Sequence, residues 1–232
     1  MTLLAPPQAE ADAVEVDLPR HPPGRTGFTP RRMDFDAFVR GDGLPHEIFE
    51  YVNGHAVEFP MIRSQHSALR KWLLKVGDFV EMNGGFSDHE PFGLRVAGGN
   101  VRLPDVFLWS AEQNARHTTH YLDGPADLVI EILSPSTRHI DLGDKWCEYA
   151  ATGCRQYWVL DPDHGRHSFF ELDTTAGVYR PQVTEVDGED REFVRSATTP
   201  SMWFNVAWFD ERPPVADVLA TWRATADESR QA

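Results

Sequence analysis

Hydrophobic and polar positions change period several times along this chain of 232 residues, and each change marks an element. In "HSALRKWLLKVGDFVEMNGG", Leu69, Trp72, Leu73, Val76, Phe79 and Val80 follow a helical period, which predicts the clearest helix, stopped at Gly84-Gly85. "MDFDAFVRGDG" predicts a shorter helix closed by glycine. "IFEYVNGHAVEF" predicts two strands around Asn53-Gly54, a pair that favours a tight hairpin turn. Strand-like runs follow at "FGLRV", "VRLPDVFLW" and "DLVIEIL", then a second helix over residues 140–151 ending near Gly153. The strand "RQYWVLDP", the hairpin-like pair "RHSFFEL" and "VYRPQVTEV", and a last strand "SMWFNVAWF" complete the pattern. This order predicts an α/β fold, a mixed central sheet with helices packed on it.

The two ends read differently. Residues 1–30 carry prolines at 6, 7, 19, 22, 23 and 30 and few large apolar groups, so a flexible arm is expected. Residues 211–232 read as a linker, one short helix and a frayed end. One domain over residues 31–210 remains, long enough to bury roughly 70% of its unfolded surface without staples. Cys147 and Cys154 match no zinc or redox spacing, which fits a reducing cytoplasm. The start lacks a basic region and a long apolar run, and no segment approaches the roughly 20 apolar residues of a membrane span.

The formal net charge of −14 opposes a simple nucleic-acid footprint, because phosphate binding relies on basic surface. Among 22 basic residues there are three lysines, Lys71, Lys75 and Lys145. A local basic rim from Arg63, Arg70, Lys71 and Lys75 near the long helix is one way for an acidic chain to approach DNA.

Charged groups inside apolar runs raise the chemical question. In "DLVIEIL", Leu128, Ile130 and Ile132 share one face of a strand and Val129, Glu131 and Leu133 the other. Both faces are apolar, so the strand reads as central and Glu131 as buried. A buried carboxylate needs a partner, either an arginine at the sheet's end or a cation. Asp105 follows Pro104, which cannot donate to a ladder, so it sits at a strand end, an edge or a bulge. There it either accepts backbone hydrogen bonds or points into a site. Lys145 shares a helical stripe with Leu142 and Tyr149, and it also lies four residues after Asp141, the spacing of a local ion pair. Taken together, two carboxylates on neighbouring strands and a lysine make a site for Mg²⁺ or Mn²⁺, suited to phosphodiester hydrolysis.

The order "PD", an acidic residue in a buried strand, then a lysine resembles the PD-(D/E)XK nuclease superfamily. More closely, the chain resembles the bacterial Uma-type family of restriction endonuclease-like proteins. The matching pieces are "FEYVNGHAVEF", "RSQHSALRKWL", "RLPDVFLW", "PADLVIEILSPSTRHIDLGDKWCEYAATGCRQYWVLDP" and the weaker "SMWFNVAWF". The resemblance implies a restriction endonuclease-like fold with additional antiparallel hairpins, and a metal-dependent site acting on DNA. It places Asp105 and Glu131 as metal carboxylates, Lys145 as the catalytic lysine, and Glu50 as an additional metal-shell or water-activating carboxylate. The superfamily's usual lysine position, two residues after the acidic residue, is Leu133 here. A solvated hairpin residue is the other reading of Glu50, and capping or packing the other reading of His66, where the long helix begins.

The expected function is therefore a Mg²⁺-dependent endonuclease, as a homodimer because a symmetric pair of sites suits cutting two strands. The competing class keeps the fold as a catalytically inactive binding module, which the acidic surface favours. His117 and His120, and His164 and His167, read as turn histidines rather than metal pairs.

Overall fold

A computed structural model of the protein describes residues 29–45, 48–58, 64–82, 85–197 and 202–231. Strand β1 (Arg31–Arg32) leads into helix α1 (Phe35–Arg40). Asp34 starts that helix by accepting from the Ala37 N–H at 2.8 Å, and Gly41 ends it at a φ of 72°. Strands β2 (Phe49–Val52) and β3 (His55–Glu58) pair antiparallel about Asn53 and Gly54. Their φ values, 49° and 79°, are both positive, as the tight hairpin turn requires. Helix α2 (Ser64–Met82) follows, then β4 (Phe86–Asp88), β5 (Gly93–Arg95), β6 (Val101–Arg102), β7 (Val106–Trp109), β8 (Tyr121–Asp123) and β9 (Leu128–Ile132). Helices α3 (Arg138–Asp141) and α4 (Asp144–Thr152) cross over to β10 (Gln156–Asp161). The chain finishes with β11 (Arg166–Asp173), β12 (Val178–Pro181), β13 (Glu185–Val186), β14 (Glu192–Arg195), β15 (Trp203–Asn205), α5 (Trp208–Glu211) and α6 (Val215–Gln231).

The central sheet runs β12-β11-β10-β9-β7-β4 and is mixed: β9 and β10 are parallel, whereas β7 and β9 are antiparallel. A parallel pair needs a crossover, which α3 and α4 supply. Strand β9 is buried on both faces, as the apolar residues flanking Glu131 on each face require. Leu128, Ile130 and Ile132 share a core with Leu69, Trp72, Leu73 and Val76 of α2 and with Val218 and Trp222 of α6. Val129 and Leu133 share the other core with Tyr149 and Ala150 of α4. A second sheet runs β1-β3-β2-β6-β5-β8, and β13-β14-β15 form a third.

Four boundaries differ from the sequence pattern, each for a physical reason. "VRLPDVFLW" is two strands: β6 joins the hairpin sheet and β7 the central sheet, and the break falls at Leu103-Pro104-Asp105. The helix expected over 140–151 is broken at Leu142-Gly143. A Cβ on Gly143 would lie 2.7 Å from the His139 carbonyl oxygen, so the chain turns there on a residue without one. Leu142 is consequently 44% exposed and does not share a buried stripe with Lys145 and Tyr149. In "SMWFNVAWF" the strand ends at Asn205 and Trp208 opens α5. Residues 211–232 do not trail off after a short helix: α6 has 17 residues, buries Val218 and Trp222, and anchors Trp222 by an indole N–H donated to the Trp203 carbonyl. Removing such a buried side chain costs about 3–5 kcal/mol. The arm expected over 1–30 lies outside the described residues up to residue 28. No described helix is long and apolar enough to cross a membrane.

Candidate active site

The break between β6 and β7 is what builds the site. Strand β7 pairs with β9 in a register that sets Val106 against Ile130. One step further in that register brings Asp105 opposite Glu131, just where Pro104 has ended the ladder. The Asp105 carboxylate takes the place of a backbone partner: its Oδ2 accepts from the Ile132 N–H at 2.8 Å. Asp105 thus accepts a backbone hydrogen bond, and this register sets it beside Glu131. Its other oxygen, Oδ1, is buried and has no hydrogen-bond partner among the described residues.

Glu131 is met from α4. Lys145 Nζ donates to Glu131 Oε1 at 2.9 Å, and the Tyr149 hydroxyl, one turn on, donates to the same oxygen at 2.7 Å. Lys145 also lies 3.3 Å from Asp141 Oδ1 and 3.6 Å from Glu50 Oε1. The local i,i+4 pair and the long-range contact thus coexist, and the partner of Glu131 is a lysine rather than an arginine at the sheet's end. Lys145 is 1% exposed.

Glu50 is buried, which excludes the solvated-hairpin reading. Its Oε2 accepts from Arg102 Nη1 at 2.8 Å and its Oε1 from the Leu103 N–H at 3.1 Å. Arg102 continues to Glu148, with Nε 2.6 Å from Oε2 and Nη2 3.0 Å from Oε1. Glu50 thus meets Arg102, Leu103 and Lys145, and shares the Lys145 ammonium with Glu131. Among the described residues no three His, Cys, Asp or Glu side chains are arranged to hold a metal ion.

The electrostatics follow from this packing. Burial pushes the Glu131 carboxyl well above its ordinary range, and Asp141 and Asp105 push it further, against the pull of Lys145. Burial likewise raises Asp141, with Lys145 opposing and Asp105 adding. Burial alone would raise Glu50 too, but Lys145 and Arg102 hold it below the usual carboxylate range. Burial works to discharge Lys145, yet Glu131, Asp141 and Glu50 together raise it above the ordinary lysine value, so its charge is secure.

His66, in the first turn of α2, places Nε2 3.1 Å from Asp105 Oδ2. Asp141, Arg102, Tyr149 and Glu148 were not singled out as site residues by sequence reasoning. Arg102 carried a usable signal, a lone charge flanked by apolar Val101 and Leu103 beside "PD". Of the expected basic rim, Lys71 and Lys75 are exposed on α2, Arg70 is turned to Glu90 at 2.7 Å, and Arg63 lies outside the described residues. Of the histidines expected in turns, His117 stacks on Phe92 at 4.9 Å and His164 lies 2.9 Å from Asp161, whereas His167 stands in β11, 3.2 Å from Asp210.

The mixed sheet flanked by helices, with its acidic residues meeting at the β7–β9 strand ends, defines a restriction endonuclease-like α/β protein. The family model described as "Uma2: Putative restriction endonuclease" matches residues 38–207, and the chain belongs to that family. Among solved structures, a chain described as a "putative nuclease belonging to DUF820 from Anabaena variabilis ATCC 29413" is similar in fold. It shares 20% identity at a TM-score of 0.60, over 77% of this chain and 98% of that one. No curated protein matches.

Proposed function

We propose that the protein is a divalent-cation-dependent endonuclease that hydrolyses DNA phosphodiester bonds, with Asp105 and Glu131 holding Mg²⁺ or Mn²⁺ beside Lys145. One observation carries the reading: Asp105 Oδ1 is a buried oxygen without a hydrogen-bond partner among the described residues, in a centre where Glu50, Glu131 and Asp141 surround Lys145 and Arg102 pairs with Glu50. Leaving such an acceptor unpaired is costly, and a carboxylate excess in a low-dielectric interior calls for more positive charge. Hard divalent cations fit that need, and Mg²⁺ usually keeps several waters beside one or two carboxylates, so a third carboxylate ligand is not required. Membership of the Uma2 family supports the same reading.

When bound, the cation supplies Lewis-acid stabilisation of a phosphoryl oxygen and lowers the pKa of water at the site. The chain's own residues do the rest. Lys145 is held protonated, so it serves as a fixed positive charge and donor for the charge that develops on the phosphate, not as a base. Glu50 and Asp141 steady Lys145, and Tyr149 steadies Glu131 by donating to Oε1. Two copies, one for each strand, complete the reading.

A non-catalytic binding module of the same fold is favoured by one observation, the net charge of −14, which repels DNA phosphates. Cleavage of plasmid DNA with Mg²⁺ or Mn²⁺ separates the two. The nuclease reading expects activity in the wild type that is lost in Asp105→Ala and Lys145→Ala; equal cleavage by all three removes the assignment. A melting temperature unmoved by millimolar Mn²⁺, with no cleavage, favours the binding module, whereas a Mn²⁺-dependent rise without cleavage points to a metal site with another substrate.

A further inference from the structure

The fold treats the two oxygens of Asp105 differently. Oδ2 receives the Ile132 N–H at 2.8 Å and lies 3.1 Å from His66 Nε2, while Oδ1 is buried with no hydrogen-bond partner among the described residues. The two contacts come from different elements, the backbone of β9 and the first turn of α2. A carboxylate oxygen offers two acceptor positions, and the aspartate χ2 torsion is otherwise broad. With its proton on Nε2, the imidazole adds a second donor to that oxygen, and two donors hold the carboxylate plane, because rotation loses at least one of them. His66 itself is buried, and its Nδ1 has no hydrogen-bond partner among the described residues. Among the described residues its polar contact is Asp105.

We propose that His66 is a positioning residue: its Nε2–H holds Asp105 Oδ2 against Ile132 and so presents Oδ1 to the divalent cation. The inference rests on the metal-dependent reading of the site. His66 acts on the ion through Asp105, as an outer partner that orients a ligand, and losing such a partner typically weakens metal binding by about 10- to 100-fold.

The test is the Mn²⁺ affinity of the full chain, measured by electron paramagnetic resonance titration. Replacing His66 by Phe or Ala is expected to weaken Mn²⁺ by about 10- to 100-fold. His66→Gln, whose amide nitrogen reaches the place of Nε2, is expected to recover most of the affinity. In an Asp105→Asn background, His66→Phe is expected to change nothing further. If neither H66F nor H66A folds, His66→Gln against His66→Asn makes the same comparison, since the shorter amide does not reach Oδ2. Wild-type affinity in H66F and H66A, whatever their melting temperatures, overturns the inference; so does a His66→Gln affinity as weak as that of H66A or H66N. Absence of Mn²⁺ binding by the wild type is a separate result that removes the metal reading itself and the inference with it.

Discussion

Lys145 Nζ lies 2.9 Å from Glu131 Oε1 in a setting where neither side chain exposes more than 2% of its surface. A buried ion pair of this kind is weak evidence for stability, because desolvation offsets much of the attraction. Its place in the chain is more informative. Lys145 lies in the first turn of α4, Glu131 sits in the central strand β9, and Asp141 and Glu50 add carboxylates around the same ammonium. The arrangement keeps one cation charged and leaves negative charge over.

Removing the ammonium should expose that excess. Lys145→Met is expected to lower stability by about 3–5 kcal/mol in metal-free protein, the usual cost of breaking a buried pair from one side. Adding Glu131→Gln should return part of the loss, because the uncompensated charge is then gone. Urea unfolding of the two single variants and the double variant measures the coupling. Strictly additive losses would mean that the two side chains do not act on each other.

The pH dependence has a definite sign. Burial with Asp141 and Asp105 nearby raises Glu131 above 4.5, and burial raises Asp141 above 3.8. Stability from their protonated forms is full below those unfolded values and is lost as pH rises through the folded ones. Glu50 is lowered, so its contribution is present above 4.5 and is lost as pH falls through its folded value. Metal-free protein should therefore lose stability on raising the pH from weakly acid towards neutral and beyond. Glu131→Gln should flatten that limb, and Mn²⁺ should oppose it. Denaturant melts across pH in chelator and in Mn²⁺ provide the check; a limb unchanged by Glu131→Gln contradicts it.

Glu50 separates two roles. As an anchor for Lys145 and Arg102, Glu50→Gln should leave Mn²⁺ affinity within about threefold of wild type while reducing cleavage at least about tenfold, since misplacing a charged group near the reaction is costly. Calorimetric Mn²⁺ titration beside a cleavage assay distinguishes the cases. An affinity loss as large as that of Asp105→Asn makes Glu50 a ligand after all.

Lys71 and Lys75 are the exposed basic pair on α2, the helix whose first turn carries His66. Reversing both charges is expected to weaken DNA binding and to reduce the slope of log affinity against log salt by roughly two. Fluorescence anisotropy at several salt concentrations measures this, and unchanged affinity rules the face out.

Much of this arrangement was legible in the chain because it is written in short-range pattern. Alternation in "DLVIEIL" gave the two faces of β9, Asn53-Gly54 gave the hairpin, and the interruption by Pro104 gave the strand end at Asp105. The shift from one sheet to the other at that proline was not legible, because it depends on which distant strands β6 and β7 find. Nor was the charge network. Arg102 and Glu50 are 52 residues apart and meet only through the pairing of β2 with β6. Asp141 stood in plain view as a local partner of Lys145, but a spacing of four cannot tell that Glu131 of β9 and Glu50 of β2 meet the same ammonium. The C-terminal helix was underestimated because its apolar positions are few, and Trp222 counts for more by its burial than by its place in the pattern.

The central claim is that Asp105 and Glu131 jointly hold a divalent ion next to Lys145. Anomalous diffraction from crystals grown with Mn²⁺ addresses it most directly. The account predicts one strong peak per chain within coordination reach of Asp105 Oδ1 and a Glu131 oxygen, absent in Asp105→Asn. A peak that avoids both carboxylates, or none at millimolar Mn²⁺, contradicts it.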